Sequence, residues 1–334
     1  WVSADYAWNY VKVRTDSKNF WSVTNHPAKT KIMKNKRILF DKCVVRAVLL
    51  LIAFTSLTAS DLLAQQTAKP LKVMSFNIRF GTAQDGDNHW DQRHELVTEV
   101  IRLSDPDLLG LQEALPFQCD YLQEQCSGYE FFGRGREADP DKGEFCAVLF
   151  RKERFEKTDG GHFWLSETPD RPGSRSWDSS LPRMVTWVQL RDRSTGRQFI
   201  FANTHFDHRG NQARLESAVV IRDWLQKHRE NPVVITGDFN AASDSPPYYL
   251  LMASTEPGME GQRPLVDSFR AIHPKSPVEG TFGGWQGKRD GARIDWILHS
   301  EDFATLNAAI NYHNDGGRYP SDHYPVTAVL RIGK

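Results

Sequence analysis

The feature that most restricts the fold of this 334-residue chain is a recurring pair of signals. Apolar segments of β type run into short clusters of Asn, Glu, His and Asp. Segments rich in Val, Ile, Phe and Trp that close on polar residues read as strands. They are 72–78, 108–112, 146–150, 184–190, 198–206, 232–236, 293–299 and 324–332. Helical periodicity is rarer. The stretch 90–104 places Leu96, Val97, Val100, Ile101 and Leu103 on one stripe, 211–228 does the same with Leu215, Ala218, Val219, Arg222 and Leu225, and 116–125 is a shorter candidate. Helices interspersed irregularly among a majority of strands disfavour an all-parallel barrel and suit a mixed two-sheet core covered by helices. Residues 159–183 are turn-rich but carry Trp164 and Trp177. A loop of that length is functional or disordered, and its two tryptophans favour ordered packing.

The polar clusters are Asn77, Glu113, His205 with Asp207, Asp238 with Asn240, and Asp295 with the pair Asp322 and His323. Each alone has a plain structural explanation, such as a turn, a helix start or a hydrogen-bonded core histidine. Together they are the residue types of metal binding and acid–base chemistry, and functional groups converge at strand ends. Side chains two apart on a strand share a face, so Asp238 and Asn240 are expected to point together, as are His205 and Asp207. Hydrolysis of a phosphoester requires neutralised phosphate charge, an oriented water and a stabilised leaving oxygen. Glu113 with the Asn77 amide suits Mg²⁺, which prefers oxygen ligands and retains waters. Asp238 suits orientation or deprotonation of water, Asn240 a hydrogen bond to phosphate, and His205 and His323 donation as charge develops. Either Asp295 or Asp322 suits support of His323. The histidines lack zinc-site spacing and no cysteine joins them. Arg183, at a strand start, is a candidate phosphate clamp or a structural salt bridge in equal measure. Trp164 and Trp177 are better placed as core packing than as a stacking surface.

The ordered motifs MSFNIR, LQE, NTHFDH, TGDFN, RIDWIL and SDHYPV, over residues 70–332, resemble the endonuclease/exonuclease/phosphatase superfamily. The resemblance implies an α/β (α+β) four-layer sandwich, with two mixed sheets flanked by helices in one domain, 70–334. It implies Asn77 and Glu113 as ligands of Mg²⁺, with Mn²⁺ as an alternative ion. It implies His205, Asp238, Asn240, Asp295, Asp322 and His323 as catalytic, with Asp322 paired to His323. Asp207 and His208 are second choices, Asp207 being assigned with Arg183 to substrate. The Trp90-x-x-Arg93 motif and segments 163–169 and 176–183 resemble one bacterial branch of that superfamily.

Basic residues from Lys34 to Arg46 precede an apolar stretch, 47–59, and a small residue, Ala64, suited to cleavage. This reads as a signal peptide over 33–65, and its 13 apolar residues fall short of the roughly 20 that span a bilayer. Export to the periplasm or exterior follows, with no membrane span expected after cleavage. Residues 1–32, upstream of Met33, read as an over-extended start outside the fold. Residues 1–65 hold ten Lys and Arg against four Asp and Glu, leaving 32 basic against 38 acidic residues, a net charge of −6. That charge and the lack of a basic, aromatic-interleaved run weigh against nonspecific nucleic-acid binding. The expected activity is therefore hydrolysis of a small, lipid-headgroup or nucleic-acid phosphoester, without a dedicated protein partner. An exported nuclease is the first alternative. A catalytically silent binding domain is the second, and it predicts missing site residues, none of which is missing. Cys119 and Cys126 are spaced to pair if the helix between them is short.

Overall fold

The computed structural model describes residues 69–252 and 263–333. The expected signal segment 33–65, Cys43 within it and the expected over-extended start 1–32 lie outside the described residues. Along the chain the elements are β1 (Leu71–Asn77), α1 (Trp90–Ser104), β2 (Leu108–Ala114), α2 (Pro116–Gln125), β3 (Tyr129–Phe132), β4 (Phe145–Arg151), β5 (Phe155–Trp164) and β6 (Met184–Asp192). Then follow β7 (Gln198–His205), α3 (Asn211–Lys227), β8 (Val233–Asp238), α4 (Pro246–Met252), β9 (Leu265–Asp267), α5 (Ser268–Ile272), β10 (Asp295–Ser300), β11 (Phe303–Ile310) and β12 (Val326–Ile332).

Two six-stranded sheets form, in the orders β11-β12-β1-β2-β4-β3 and β5-β6-β7-β8-β10-β9. Each has one parallel pair, β1 with β2 and β7 with β8, and every other pairing is antiparallel. Each parallel pair is joined through a helix, α1 in one sheet and α3 in the other, as parallel neighbours require. The resulting layers are helix, sheet, sheet, helix. Val73, Leu108, Val148 and Phe150 of the first sheet meet Val188, Phe199, Phe201, Val234 and Ile297 of the second in the central core. Met74, Phe76, Leu109 and Leu111 face α1 and α2, while Ile200, Ala202, Val233 and Ile235 face α3. Both faces of the central strands are covered, which is why these strands read as continuous apolar runs rather than as alternation.

The inward-facing side chains change character along each central strand. In β1 they run Leu71, Val73, Ser75, Asn77; in β2, Leu108, Gly110, Gln112; in β7, Phe199, Phe201, Asn203, His205; in β8, Val234, Thr236, Asp238. The middle of each series is a polar layer sealed between the sheets. Gln112 Nε2 donates to Asn203 Oδ1 (2.6 Å) and Ser75 Oγ (3.2 Å), and Thr236 Oγ1 donates to the same Asn203 oxygen (2.9 Å). Asn203 Nδ2 donates across the sheets to Leu111 O (2.7 Å) and Ala147 O (3.0 Å). Gly110 makes room for this layer, since a Cβ there would lie 2.0 Å from Thr236 Oγ1.

Helices α1 and α2 match the sequence reading in extent, and α3 ends one residue earlier. Strands β3, β5, β9 and β11 and helices α4 and α5 were not legible. Residues 159–183 read as a loop in the sequence, yet residues 159–164 belong to β5. A register shift between Lys157 and Asp159 admits them, and Trp187 of β6 packs so closely that a Cβ on Gly161 would lie 3.2 Å from its Nε1. Trp164 is buried, as expected, and its Nε1 donates to Arg136 O (2.7 Å). Cys119 and Cys126 are free, buried thiols at either end of α2, so the expected option of a bridge between them is not realised. No helix among the described residues is long and apolar enough to cross a membrane.

Replacing Asn203 with Ala would remove a donor from two buried carbonyls and an acceptor from Gln112 and Thr236 together. We expect a loss of roughly 2–5 kcal/mol in urea unfolding. A change below 1 kcal/mol would show that the polar layer does not hold the sheets.

Candidate active site

One edge of the sandwich collects the polar ends. Parallel β1, β2, β7 and β8 finish there, and their antiparallel neighbours β12, β4 and β10 begin there. Asp238, the last residue of β8, is paired in register with His205 on one side and Asp295 on the other. Its Oδ2 accepts from Asn77 Nδ2 (2.9 Å) and lies 3.5 Å from His205 Nε2 and 3.7 Å from His323 Nε2. Asn77 Nδ2 also donates to Glu113 Oε1 (3.0 Å), so one amide bridges the two carboxylates.

Glu113 reaches this group through strained backbone. Gln112 faces inward, so alternation would turn Glu113 outward to the helices. Glu113 instead has φ of 62°, and the β2–β4 register shifts between Leu111 and Ala114. A bulge of this kind re-aims a side chain. Phe80 N donates to Glu113 Oε2 (3.1 Å) and fixes the result. Asn240 is likewise left-handed, with φ of 47°. Its Nδ2 donates to His205 Nε2 (3.0 Å) and Phe206 O (3.1 Å). The expectation that Asn240 shares the face of Asp238 holds in outcome, but its amide is engaged by His205.

The two imidazoles have opposite electrostatics. His205 accepts at Nε2, and burial together with Arg183 and Arg136 holds its pKa well below the usual value. Burial also opposes a charge on His323, but Asp295 and Asp238 outweigh it and raise its pKa well above the usual value. Burial and the facing Asp295 push Asp238 up to about 7. The partner of His323 is Asp295, whose Oδ2 lies 2.9 Å from Nδ1. This corrects the pairing with Asp322 that the resemblance implied. Asp322 accepts from Ser321 Oγ (3.2 Å) and lies 3.7 Å from Arg79 Nε. Asp322 and His323 both precede β12, and the His323 ring meets Asp295, the first residue of β10.

Asp207 is a second correction. It was expected to share the inward face of His205 and meet substrate, but β7 ends at His205 and alternation ends with it. The Asp207 carboxylate is fully buried and accepts from Ser180 N (3.0 Å) and Oγ (2.7 Å), Leu181 N (3.3 Å), Arg209 N (2.9 Å) and Gly210 N (2.8 Å). It organises the loop before β6. Against its burial, these bonds and Arg183 hold its pKa well below the carboxylate range. Arg183 does line the cleft, with Nε 3.4 Å from Asp207 Oδ2 and Nη2 2.9 Å from His208 Nδ1. It is thus a structural ion pair and a cleft wall at once.

The cleft has a volume of about 660 Å³, within the range of small-molecule sites. Sequence reasoning missed Glu144, Arg79 and Asp85 on its walls. Glu144 is held bidentately by Arg136 (2.6 and 2.9 Å) and lies 3.8 Å from His205 Nδ1. The missed signal was direction: Glu144 stands before an antiparallel strand, whose beginning lies at the edge where β2 ends. Arg79 pairs with Asp85 (3.0 and 3.1 Å) and lies 4.0 Å from Glu113. Arg93 of the Trp90-x-x-Arg93 motif is buried and donates to Asn88 O, Ile78 O, Arg79 O and Pro320 O, which ties the end of β1 to the segment bearing Asp322.

Carboxylate and imidazole atoms of Glu113, His205 and Asp238 lie within 4.8 Å of one another. This oxygen-rich set around clustered acids fits a hard divalent cation. Asn77 Oδ1 accepts one bond, from Arg79 N (3.0 Å), and keeps a second lone pair. A second cluster, Asp238, Asp295 and His323, is closed by its own hydrogen bond.

A model of the Endonuclease/Exonuclease/phosphatase family matches residues 74–323. The chain belongs to that family, whose members hydrolyse phosphoesters. It resembles the solved structure of an endonuclease/exonuclease/phosphatase family protein from Bacteroides thetaiotaomicron, with 31% identity, 79% of this chain and 98% of that one covered, and a TM-score of 0.70. A mannosyl-6-phosphatase from the same organism gives 31% identity, coverage of 78% and 99%, and a TM-score of 0.69. Among curated proteins, nocturnin of Xenopus laevis is 24% identical over 327 residues, covering 86% of this chain and 78% of nocturnin. The chain spans 63% of the length of mouse nocturnin.

Substituting Asp207 with Ala would leave the Arg183 guanidinium buried without its carboxylate. We expect roughly 3–5 kcal/mol of destabilisation in chemical unfolding. Stability within 1 kcal/mol of wild type would return Asp207 to the substrate-binding group.

Proposed function

We propose that the chain is an exported, Mg²⁺-dependent hydrolase of small phosphoesters, with Mn²⁺ as an alternative ion. The supporting observation is the setting of Asp238, between two imidazoles and an amide-bridged Glu113 at the base of the cleft. Glu113, with Asn77, would hold the cation. The bound cation would supply neutralisation of phosphate charge and polarisation of its oxygens.

The chain's own groups take the remaining roles. Asp238 orients the attacking water from the cleft floor. His323, fixed through Asp295, presents Nε2 as a donor to a phosphate oxygen. His205 contacts the phosphate from the other side, its ring held by Asn240. Arg183 adds positive charge to the wall, and Asp322 holds the Arg79 side of the cleft. The acidic net charge of the chain after residue 65 and the size of the cleft favour a small ester over a nucleic acid. The mannosyl-6-phosphatase likeness supports a sugar phosphate in particular, whereas the endonuclease and exonuclease members of the family keep nucleic acids in the test.

With Mg²⁺ supplied, a panel of sugar phosphates, inositol phosphates, sphingomyelin, a bis-phosphodiester, DNA and RNA should show turnover of a small ester. Turnover of every nucleic acid and of no small ester would refute this preference. EDTA should abolish activity and Mg²⁺ or Mn²⁺ restore it. Glu113→Gln and Asp238→Asn should each lower kcat by about 10²-fold or more with the fold intact by circular dichroism; near-wild-type turnover by either would remove its role. Export predicts that the chain expressed in a bacterium appears outside the cytoplasm with a new N-terminus near residue 65. Retention of the uncut chain in the cytoplasm would contradict it.

A further inference from the structure

One side of the cleft mouth is aromatic. Phe282 is 49% exposed, and its ring meets the His323 ring edge to face, at a centroid distance of 5.1 Å. Trp285 is half-buried and lines the same cleft. The loop that carries them is bound to the site. Phe282 and His323 form an isolated β-bridge, and Gly283 N and Gly284 N both donate to Asp322 O (2.7 and 3.1 Å).

The loop also adopts unusual backbone to present these rings. Gly284 and Trp285 are consecutive left-handed residues, with φ of 55° and 66°. That conformation suits glycine and is strained for a bulky side chain. Gly283 has no alternative either, because a Cβ would lie 2.7 Å from the Tyr324 ring. The Trp285 ring rests on the Arg93 guanidinium (5.2 Å), which also stacks on Trp90 (5.3 Å). Arg93 is fixed by its four bonds to backbone carbonyls. Trp285 is therefore held in place before any ligand arrives, and such preorganisation lowers the ordering cost of binding.

The geometry points to Phe282 and Trp285 as a stacking platform for the sugar ring of a sugar monophosphate. This inference rests on the phosphoesterase reading above and names the part of the substrate that leaves. A pyranose has an apolar C–H face for an aromatic surface and hydroxyl groups around its edge. The cleft offers both, being lined by the aromatic pair and by the carboxylates of Asp85 and Glu144, each paired with an arginine yet keeping lone pairs for a hydroxyl. A nucleobase would use the platform equally well, but its edge does not call for several acceptor carboxylates.

The test measures kcat and KM for glucose 6-phosphate, glycerol 3-phosphate and AMP with the full chain and Mg²⁺, for wild type, Phe282→Ala, Trp285→Ala and Trp285→Phe. Loss of stacking should raise KM for glucose 6-phosphate about five- to tenfold in each Ala variant with kcat little changed. KM for glycerol 3-phosphate, which has no ring, should move much less, and Trp285→Phe should recover most of the loss. Equal effects on the ring and acyclic esters, or no effect on either, would overturn the platform. A greater loss for AMP than for glucose 6-phosphate would overturn the sugar assignment. Should the wild-type chain turn over none of the three, the wider substrate panel decides the small-ester reading, and calorimetric binding of glucose 6-phosphate decides the platform separately. Weaker binding by Trp285→Ala would support it, and equal binding would overturn it.

Discussion

The structure depends on a polar layer sealed between two apolar sheets. Asn203 spends its amide on Leu111 O and Ala147 O of the opposite sheet and its carbonyl on Gln112 and Thr236. Apolar packing alone would allow the sheets to slide, because it is non-directional. Hydrogen bonds in a dry interior are directional and costly to leave unmade. This layer therefore fixes the register of one sheet on the other. His205 and Asp238 stand two residues beyond it on β7 and β8, and Asn77 stands two beyond Ser75 on β1. A site composed of halves from separate sheets inherits its precision from that layer.

Backbone strain completes what alternation begins. Period-two geometry delivers Asn77, His205 and Asp238 to the cleft without special conformation. Glu113, Asn240, Arg79 and Trp285 all require positive φ, and all four lie on the cleft wall or floor. Non-glycine residues in that region persist only where surrounding contacts over-determine them. Here the contacts are specific: Phe80 N on Glu113, His205 on Asn240, Asp85 on Arg79 and Arg93 beneath Trp285. The facing carboxylates Asp238 and Asp295 add an electrostatic cost that a divalent cation near Glu113 would offset.

Much of this was legible in the sequence, for a physical reason. β1, β2, β4, β7, β8 and β10 are buried on both faces and announce themselves as apolar runs, β6 and β12 show alternation, and the polar residues at their ends stand out. Strands at or near sheet edges carry a weaker signal: β3 has four residues, β9 has three, and β5 hides a Gly pair beneath Trp187. The site was legible at positions set by strand alternation and illegible where chain direction or strain decides. Glu144 was missed because it stands just before a strand rather than ending one. Asp207 was misassigned because alternation was carried one step past the end of β7. The resemblance paired Asp322 with His323, whereas the structure gives the histidine to Asp295, the partner that the residues alone had left open beside Asp322.

The proposal turns on Glu113, with Asn77, holding a divalent cation at the floor of a cleft to which separated stretches of the chain contribute. Anomalous diffraction from crystals equilibrated with Mn²⁺ tests it most directly. The account predicts a peak within coordination distance of Glu113, at the floor of the cleft beside Asn77 and Asp238. A fully resolved cleft with no peak, or a peak bound only outside it, would contradict the account.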